Sequence, residues 1–243
     1  MRPLNKVLAV MPTYNERDNI LKVIERVLAS DARVELLVID DASPDGTGDI
    51  VARLMNGNGR LHLMRRAGKL GLGTAYVAGF RYALQHDYDA VVQIDADLSH
   101  NPKDIPRLIT YAERGAHLVV GSRYISGVNV VNWPLQRLLI SYFASVYTRL
   151  VTAMPLRDAT AGFNLIRREV LQAVDLDRIK TNGYGFQIEF KFYTWKKGFR
   201  IVECPIVFIE RAEGQSKMDR KIMIEAAVLV WKLRLMSIFG GVH

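Results

Sequence analysis

Two carboxylates stand two residues apart, directly after a largely apolar run in the middle of the chain. Residues 91–94 precede Asp95 and Asp97, and Ser99 and His100 follow closely. Crowded carboxylates repel each other unless a cation bridges them. Mg²⁺ and Mn²⁺ suit such oxygen ligands, and they bind through one or two carboxylates together with substrate phosphate. The spacing therefore favours a metal–phosphate site, and the alternative is a pair of solvated loop carboxylates.

A second acidic pair, Asp40 and Asp41, ends another apolar run. The residues that follow resemble a calcium loop, but Ala52 stands where that loop requires Glu, so we exclude calcium binding. Asp40 is expected to accept hydrogen bonds from a nucleotide at the strand edge. For Asp41, together with Ser43 and Asp45, turn formation and helix capping are the favoured interpretation.

The elements that must position these residues alternate between short apolar runs and helical patterns. Such alternation is typical of βαβ units. Residues 36–39 are apolar on both faces, as in parallel strands covered by helices on each side. Open α/β sheets bind ligands beyond the carboxyl ends of their strands, where both acidic pairs fall. The predicted strands are 7–11, 34–39, 61–64, 90–94 and 118–121, and the predicted helices are 18–29, 47–55, 74–86 and 103–114.

The second half of the chain is predicted to contain two long helices, 133–154 and 219–239. The first carries only two charges, and Arg137, Ser141, Ser145 and Arg149 are spaced four apart, which predicts one polar stripe on an apolar cylinder. Between these helices we expect a loop at 162–166, a helix at 183–197 and a final strand pair at 200–202 and 206–209. Because no Pro/Gly-rich linker or repeat interrupts residues 1–243, a single domain is expected.

Composition narrows the class of protein. The chain has 33 Lys and Arg residues against 25 Asp and Glu, a formal net charge of +8 and a pI near 9.6. Hydrophobic residues at 49% and charged residues at 24% exclude a disordered or fibrous chain. The single cysteine, Cys204, excludes an internal disulfide and a Cys-rich zinc site. A mean hydropathy of +0.04 beside this charge indicates an anionic and partly apolar partner. No apolar run approaches the roughly 20 residues of a membrane-spanning helix.

Taken in order, seven motifs resemble those of glycosyltransferase family 2, and the later ones are similar to its dolichyl/polyprenyl-phosphate mannose synthase branch. They are Met-Pro-Thr-Tyr-Asn-Glu at 11–16, Val-Ile-Asp-Asp-Ala-Ser-Pro-Asp-Gly-Thr at 38–47, Asp-Ala-Asp-Leu-Ser-His at 95–100, Gly-Ser-Arg-Tyr at 121–124, Asp-Ala-Thr-Ala-Gly-Phe at 158–163, Gly-Phe-Gln-Ile-Glu at 185–189 and Arg-Ala-Glu-Gly-Gln-Ser-Lys-Met at 211–218. The resemblance covers nearly the whole chain. It implies an α/β fold of the GT-A type, Rossmann-like, with a mostly parallel sheet flanked by helices.

The resemblance also implies three groups of site residues. In the family these positions line the nucleotide pocket (Pro12, Tyr14, Glu16, Val38 and Asp40), hold a metal on the diphosphate (Asp95, Asp97 and Ser99) and bind the lipid phosphate (Arg123, Arg137, Ser141, Arg211 and Lys217). Ser99 stands where the family often has Gln. Independently of the family, Arg137 and Ser141 are one helical turn apart and face one point, and guanidinium groups chelate phosphate oxygens. Asp158 and Glu189 are candidates for contacts with sugar hydroxyls.

The implied activity is an inverting transfer of mannose from GDP-mannose to a polyprenyl (dolichyl-type) monophosphate, with Mg²⁺ or Mn²⁺. One alternative is transfer of glucose or another hexose from a UDP-sugar to the same lipid. Another is a basic nucleic-acid-binding protein, which charge alone suggests and which no recognised binding motif supports. The expected partners are therefore the donor, the lipid and a membrane, with no nucleic acid.

A peripheral location on the cytoplasmic side of a membrane follows from the lipid acceptor. Residues 133–154 and 219–239 are expected to be amphipathic helices that lie in the bilayer interface. Ordinary docking of these helices onto the core is the alternative. Relatives in the family carry C-terminal transmembrane helices or rely on separate membrane subunits, so a membrane-anchoring partner subunit is a further candidate.

Overall fold

The computed structural model describes residues 3–179, 181, 183–209 and 220–239, with only the backbone at 184 and 220–224. The apolar runs of the first half form strands, and the amphipathic segments between them form helices that cover the sheet. The elements are β1 Val7–Thr13, α1 Ile20–Leu28, β2 Val34–Asp40, α2 Thr47–Met55, β3 Leu61–Arg65, α3 Leu72–Gln85, β4 Ala90–Gln93, a 3₁₀ turn Pro102–Asp104, α4 Ile105–Glu113 and β5 Leu118–Ser122.

The second half adds helices and short strands to the same frame. Its elements are β6 Val130–Val131, α5 Leu135–Thr152, β7 Asn164–Arg167, α6 Arg168–Ala173, α7 Tyr184–Lys196, β8 Ile201–Pro205, β9 Phe208–Ile209 and α8 Arg220–Ile238. The long helices begin and end within two residues of the predicted 133–154 and 219–239, apart from residue 219, which lies outside the described residues.

Seven strands form the main sheet in the order β3-β2-β1-β4-β7-β5-β8. β7 runs antiparallel to both β4 and β5, and the other pairings in this sheet are parallel. The expected loop at 162–166 is therefore wrong, because its second half is the start of a fully buried strand. The expected final strand pair is also wrong: β8 pairs with β5, whereas β9 pairs with β6 in a separate two-stranded sheet.

The core lies on both faces of the main sheet. Along β1, Leu8 and Val10 pack in one cluster, which includes α3 and α7 residues, while Ala9 and Met11 pack in the other with residues of α1 and α4. The helix α3 approaches β1 closely, because a Cβ on Gly79 would overlap the side chain of Val10. Burial on two faces explains why the strands read as continuous apolar runs instead of alternating ones.

The long helices α5 and α8 pack against each other and leave large apolar side chains exposed. These are Leu135, Leu139, Tyr142, Phe143 and Leu150 on α5, and Val228, Trp231, Leu235 and Ile238 on α8. In contrast, Leu229, Val230 and Leu233 of α8 are buried, so this helix also docks onto the core as the alternative expected. Within the described ranges no helix is both long and apolar enough to cross a membrane.

The predicted polar stripe on α5 is not one surface. Ser145 is 1% exposed, whereas Arg149 is exposed. A spacing of four residues advances about 40° beyond a full turn, so three such steps carry the last residue about 120° round the helix from the first. The four side chains therefore point in different directions, and that of Ser145 points into the core.

Candidate active site

Three loops meet at the carboxyl edge of the sheet, after β1, β2 and β4. Each contains a residue other than glycine in the left-handed region: Asn15 at φ 60°, Ala42 at φ 54° and Leu98 at φ 63°. This conformation costs about 1 kcal/mol or more for such residues and persists only where the surroundings enforce it. Hydrogen bonds tie the first two of these loops to each other.

The loop after β2 holds the loop after β1. Asp45 accepts hydrogen bonds from the backbone N–H (2.9 Å) and Oγ1 (2.6 Å) of Thr47 and from the backbone N–H of Arg17 (3.0 Å). Ser43 Oγ accepts from the backbone N–H of Asn15 at 3.1 Å. Asp45 therefore forms the turn before α2 as interpreted, whereas Ser43 joins the two loops. The expected helix capping is wrong, because the N-cap of α2 is Gly46 and no side chain caps it by a hydrogen bond.

Asp41 has a different partner, which the sequence did not indicate. Arg66, just after β3, donates from Nε and Nη2 to its two carboxylate oxygens at 2.5 and 2.6 Å. The same guanidinium donates to Thr74 Oγ1 at 2.7 Å and to the carbonyl of Gly71 at 3.1 Å. Arg66 therefore ties the end of β2 to the first turn of α3.

The acidic pair after β4 has two unequal members. Asp97 is 8% exposed, and its Oδ1 accepts hydrogen bonds from the backbone N–H (3.0 Å) and Oγ (2.5 Å) of Ser99. The side chain of Asp95 is 33% exposed, and Tyr76 donates its hydroxyl hydrogen to Asp95 Oδ1 at 3.3 Å. Burial and then the charge of Asp95 raise the pKa of Tyr76, so its hydroxyl stays protonated as a donor.

His100 contacts the first residue of this acidic pair and packs against two aromatic rings. Its Nδ1 accepts a hydrogen bond from the backbone N–H of Asp95 at 3.3 Å and lies 3.8 Å from Asp95 Oδ2. The ring stacks on Phe163 with centroids 5.1 Å apart and meets Phe208 edge-on at 5.3 Å. Gly162 lies beside this group, since a Cβ there would come 3.8 Å from both Asp95 Oδ2 and His100 Cε1.

The donor set at Asp95 and Asp97 fits a hard divalent cation that shares its coordination with a diphosphate. Among the residues that the structure describes, no three His, Cys, Asp or Glu side chains converge on one metal position. Mg²⁺ and Mn²⁺ need no such cage, because they bind through one or two carboxylates, water and substrate phosphate. Ser99 donates to Asp97, so it orients that carboxylate; its place as a direct ligand stays a prediction.

The residues expected to line the nucleotide pocket differ in their exposure to solvent. Pro12, Tyr14 and Glu16 are partly exposed at the end of β1. Asp40 is 3% exposed, and its carboxylate accepts hydrogen bonds from Thr13 Oγ1 (3.0 Å) and from the N–H (3.1 Å) and Oγ (2.5 Å) of Ser43.

Val38 does not suit the pocket-lining role expected of it. Its side chain is fully buried in the core cluster that contains residues of α1 and α4, and its backbone is paired with β1 and β3. In a parallel sheet covered on both faces, a side chain in the strand interior faces a helix layer, whereas ligands bind at the strand ends.

Arg123, just after β5, makes a buried ion pair that sequence reasoning did not identify. Its backbone N–H, Nε and Nη2 donate to the Asp158 carboxylate at 2.9, 2.8 and 2.6 Å, and Nη2 also donates to Thr160 Oγ1 at 2.9 Å. Burial by itself raises the pKa of Asp158, but the charge and hydrogen bonds of Arg123 outweigh it and lower the pKa. Asp158 is fully buried, which corrects its expected contact with sugar hydroxyls.

Glu189 is likewise engaged inside the protein. Its two carboxylate oxygens accept hydrogen bonds from Thr181 Oγ1 at 2.6 Å and from the Tyr193 hydroxyl at 3.2 Å, and the residue is 6% exposed. These partners hold the Glu189 carboxylate in place, and its contact with sugar hydroxyls stays a prediction.

Aromatic rings bring the basic residues of the expected phosphate cradle together. The guanidinium of Arg137 lies 4.4 Å from the ring centroid of Trp133, and that of Arg123 lies 5.5 Å from the same centroid. The Tyr124 hydroxyl donates to Ser141 Oγ at 2.8 Å. Guanidinium groups stack favourably on such rings. Arg211 and Lys217, the other expected members of the cradle, lie outside the described residues.

The fold and this site define an α/β glycosyltransferase of the GT-A type. Glucosyl-3-phosphoglycerate synthase from Mycobacterium tuberculosis, crystallised with Mn²⁺, UDP-glucose and phosphoglyceric acid, is a structural neighbour with a TM-score of 0.69. The match covers 95% of this chain and 80% of that one at 20% sequence identity, and it establishes the fold alone. The expected fold class is confirmed.

The family follows from sequence comparison. The model of glycosyl transferase family 2 matches residues 8–175, and the chain belongs to this family. It is 44% identical over 238 residues to undecaprenyl-phosphate mannosyltransferase from Micrococcus luteus, with 98% of each chain covered. It is 42% identical over 237 residues to polyprenol monophosphomannose synthase from Mycolicibacterium smegmatis, with 96% of this chain and 89% of that one covered.

Proposed function

We propose that the protein transfers mannose from GDP-mannose to a polyprenyl monophosphate with inversion of configuration. The observation that carries this proposal is the pairing of an acidic and a basic site at one edge of the sheet. Asp95 and Asp97 follow β4, and Arg123 follows β5, which runs parallel to it. Relatives with over 40% identity are named for mannose transfer to polyprenyl phosphates, which supports the same acceptor here.

The acidic site suits the leaving group. Asp95 and Asp97 would hold Mg²⁺ or Mn²⁺ against the diphosphate of the donor, and the ion would neutralise charge that develops on the departing nucleoside diphosphate. Tyr76, Ser99 and His100 keep the two carboxylates and their loop in place. The nucleotide would lie against Tyr14 and the other open residues after β1.

The basic site suits a nucleophile that is already an anion. A phosphate monoester has a second pKa of about 6, so near neutral pH it needs no general base. A phosphate oxygen attacks the anomeric carbon, the bond from that carbon to the diphosphate oxygen breaks, and the configuration inverts. Arg123 and Arg137 orient the phosphate, and Ser141 adds a hydroxyl donor. Catalysis on the acceptor side is therefore positioning.

The apolar side chains exposed on α5 and α8 suit an acceptor that resides in a bilayer. We propose that these helices rest in the interface of the cytoplasmic leaflet, with the lipid phosphate reaching Arg137 from that side. A separate membrane-anchoring subunit that covers the same side chains is the alternative. The net charge of +8 would assist association with anionic lipid headgroups.

A radiolabelled-donor assay tests the function. Purified protein, vesicles that contain a polyprenyl phosphate, and Mg²⁺ or Mn²⁺ are mixed with labelled GDP-mannose, and the label in the organic phase is measured. Transfer from labelled UDP-glucose but not from GDP-mannose would show that the donor is wrong. Arg137→Ala should impair lipid transfer far more than donor binding, whereas Arg149→Ala, an exposed arginine on the same helix, is the matched control and should change neither.

A further inference from the structure

One segment, residues 157–162, connects the two sides of the proposed site. Asp158 and Thr160 accept hydrogen bonds from Arg123. Four residues after Asp158, Gly162 lies against Asp95 and His100. The position of the arginine relative to the acidic pair therefore depends on how firmly this segment is held.

Two charged side chains from other elements, a partly exposed glutamate and a buried lysine, hold the segment. Glu203 of β8 accepts the backbone N–H groups of Arg157 and Asp158 at 2.8 and 2.9 Å. Lys191 of α7 donates from Nζ to the carbonyl oxygens of Ala159 and Ala161 at 3.1 and 2.6 Å. Both ends of the turn are thus fixed by side chains from outside it.

Lys191 is buried in surroundings that disfavour its charged form. Lys191 is 1% exposed, and burial lowers its pKa to about 7 even though the charges of Asp158 and Glu203 act to raise it. Its direct partners are two neutral carbonyls, so the buried cation is balanced only at longer range. An apolar residue would fill this helix position without that cost, which indicates that the two hydrogen bonds to the segment serve a purpose besides packing.

We infer that Lys191 is a positioning residue for acceptor binding: it pins the segment 157–162 and thereby sets where Arg123 meets the phosphate of the acceptor. This inference rests on the proposed function, because it takes Arg123 as a phosphate-binding residue. Lys191 itself is buried behind the segment and acts through Asp158 and Thr160. Its loss should weaken the acceptor site more than the nucleotide site, because Arg123 hydrogen-bonds directly to the segment, whereas the acidic pair has only a van der Waals contact with it at Gly162.

The test removes the hydrogen-bonding ammonium group of Lys191 and keeps the volume of its side chain. Lys191→Met should raise the KM for the polyprenyl phosphate at least about tenfold and leave the KM for the nucleotide sugar within about twofold. Lys191→Gln, which retains one N–H donor pair, should fall between wild type and Lys191→Met. The matched control is Arg167→Met: this cation is 1% exposed and bonds to the carbonyl of Ala112 and to Glu169. Arg167 pairs with Ala90 at the start of β4, the sheet edge opposite the site, so its variant should not change the KM for the acceptor.

A double-variant cycle separates positioning from general destabilisation. If Lys191 acts through Arg123, then Lys191→Met should add less than about twofold to the acceptor KM of Arg123→Gln, because the effects of residues in one network are not additive. Independent, multiplying effects would overturn the inference. So would equal losses in Lys191→Met and Arg167→Met, or an unchanged acceptor KM in a folded Lys191→Met protein.

A binding measurement keeps this inference distinct from the proposed function. Farnesyl phosphate is titrated into wild type and each variant by calorimetry, without donor. If wild type binds this monoester but transfers no sugar, the proposed reaction fails while the binding ratio of wild type to Lys191→Met still tests the inference. If wild type transfers sugar and Lys191→Met binds farnesyl phosphate equally well, only the inference fails.

Discussion

The buried pair of Arg123 and Asp158 makes a demanding prediction about stability. Asp158→Asn keeps the shape of the side chain and one acceptor oxygen, but it leaves the guanidinium of Arg123, in a residue 6% exposed, without its counter-charge. The single change leaves the buried guanidinium of Arg123 without the carboxylate that neutralises it.

The magnitude follows from the contacts that are lost. Arg123 makes two side-chain hydrogen bonds to Asp158, at 2.8 and 2.6 Å, to different carboxylate oxygens. In asparagine one of these oxygens becomes a neutral acceptor and the other is replaced by an NH₂ group, which cannot accept. Removing one partner of a buried ion pair typically lowers the free energy of unfolding by about 3–5 kcal/mol. For a protein of this size, that corresponds to a fall in Tm of roughly 6–20 °C.

Adding Arg123→Met to Asp158→Asn should restore stability. The double variant removes the uncompensated cation, and the Asn oxygen still accepts the backbone N–H of residue 123, which donates at 2.9 Å in the wild type. We expect it to regain at least about 2 kcal/mol over the single variant, since replacing both members of a buried pair is often close to neutral.

Urea unfolding followed by far-UV circular dichroism measures these differences, and the transfer assay is run in parallel. Stability should fall and then recover along the series, whereas lipid transfer should be lost in both variants because the phosphate-binding guanidinium is displaced in one and absent in the other. A loss below about 1 kcal/mol in Asp158→Asn, or a double variant less stable than the single one, would refute the account of this pair.

Three further predictions concern the buried lysine, the acidic pair and the packing of α3. The pKa of Lys191 is about 7 in the folded protein and about 10.4 in an unfolded chain. Between these two pKa values unfolding takes up a proton, so the free energy of unfolding should rise with pH by up to about 1.4 kcal/mol per pH unit. Urea titrations at pH 7.5 to 9.5 should show this rise in wild type relative to Lys191→Met. Asp97→Asn should abolish the metal-dependent increase in GDP affinity while metal-independent binding persists, as calorimetry with and without Mn²⁺ would show. Gly79→Ala should lower the free energy of unfolding by about 1–3 kcal/mol through overlap with Val10, despite the gain in helix propensity, and Gly59→Ala, which has open space around it, should not.

Much of the structure of the first half of the chain could be predicted from the sequence. Apolar runs and 3.6-residue periodicity predicted β1 to β5 and α1 to α4 within a few residues, because each of these elements is specified by its own side chains. The acidic residues at the ends of β2 and β4 then had to meet at one edge, since parallel strands end on the same side. The pairing of Arg137 with Ser141 on one helix face likewise depends only on helical geometry.

The partners of the buried charges could not be predicted in this way. Arg123 and Asp158 are 35 residues apart in the chain, and the lysine that pins their segment comes from a third element. Lys191 lies in a helix rich in aromatic residues, and the sequence pattern of this helix does not indicate that the lysine binds another segment. Whether a charge faces solvent, substrate or another charge is set by desolvation and by contacts between distant segments, and neither is local.

The sequence by itself determined the local elements, the acidic pair at a strand end and the family motifs. Only the tertiary structure decided that β7 inserts antiparallel between β4 and β5, because strand order depends on hydrogen bonds between segments far apart in the chain. It also decided that Val38 and Asp158 are enclosed while Asp95 is open. Burial depends on which surfaces meet when the sheet and helices pack, and that packing assigns some polar residues to the site and others to its support.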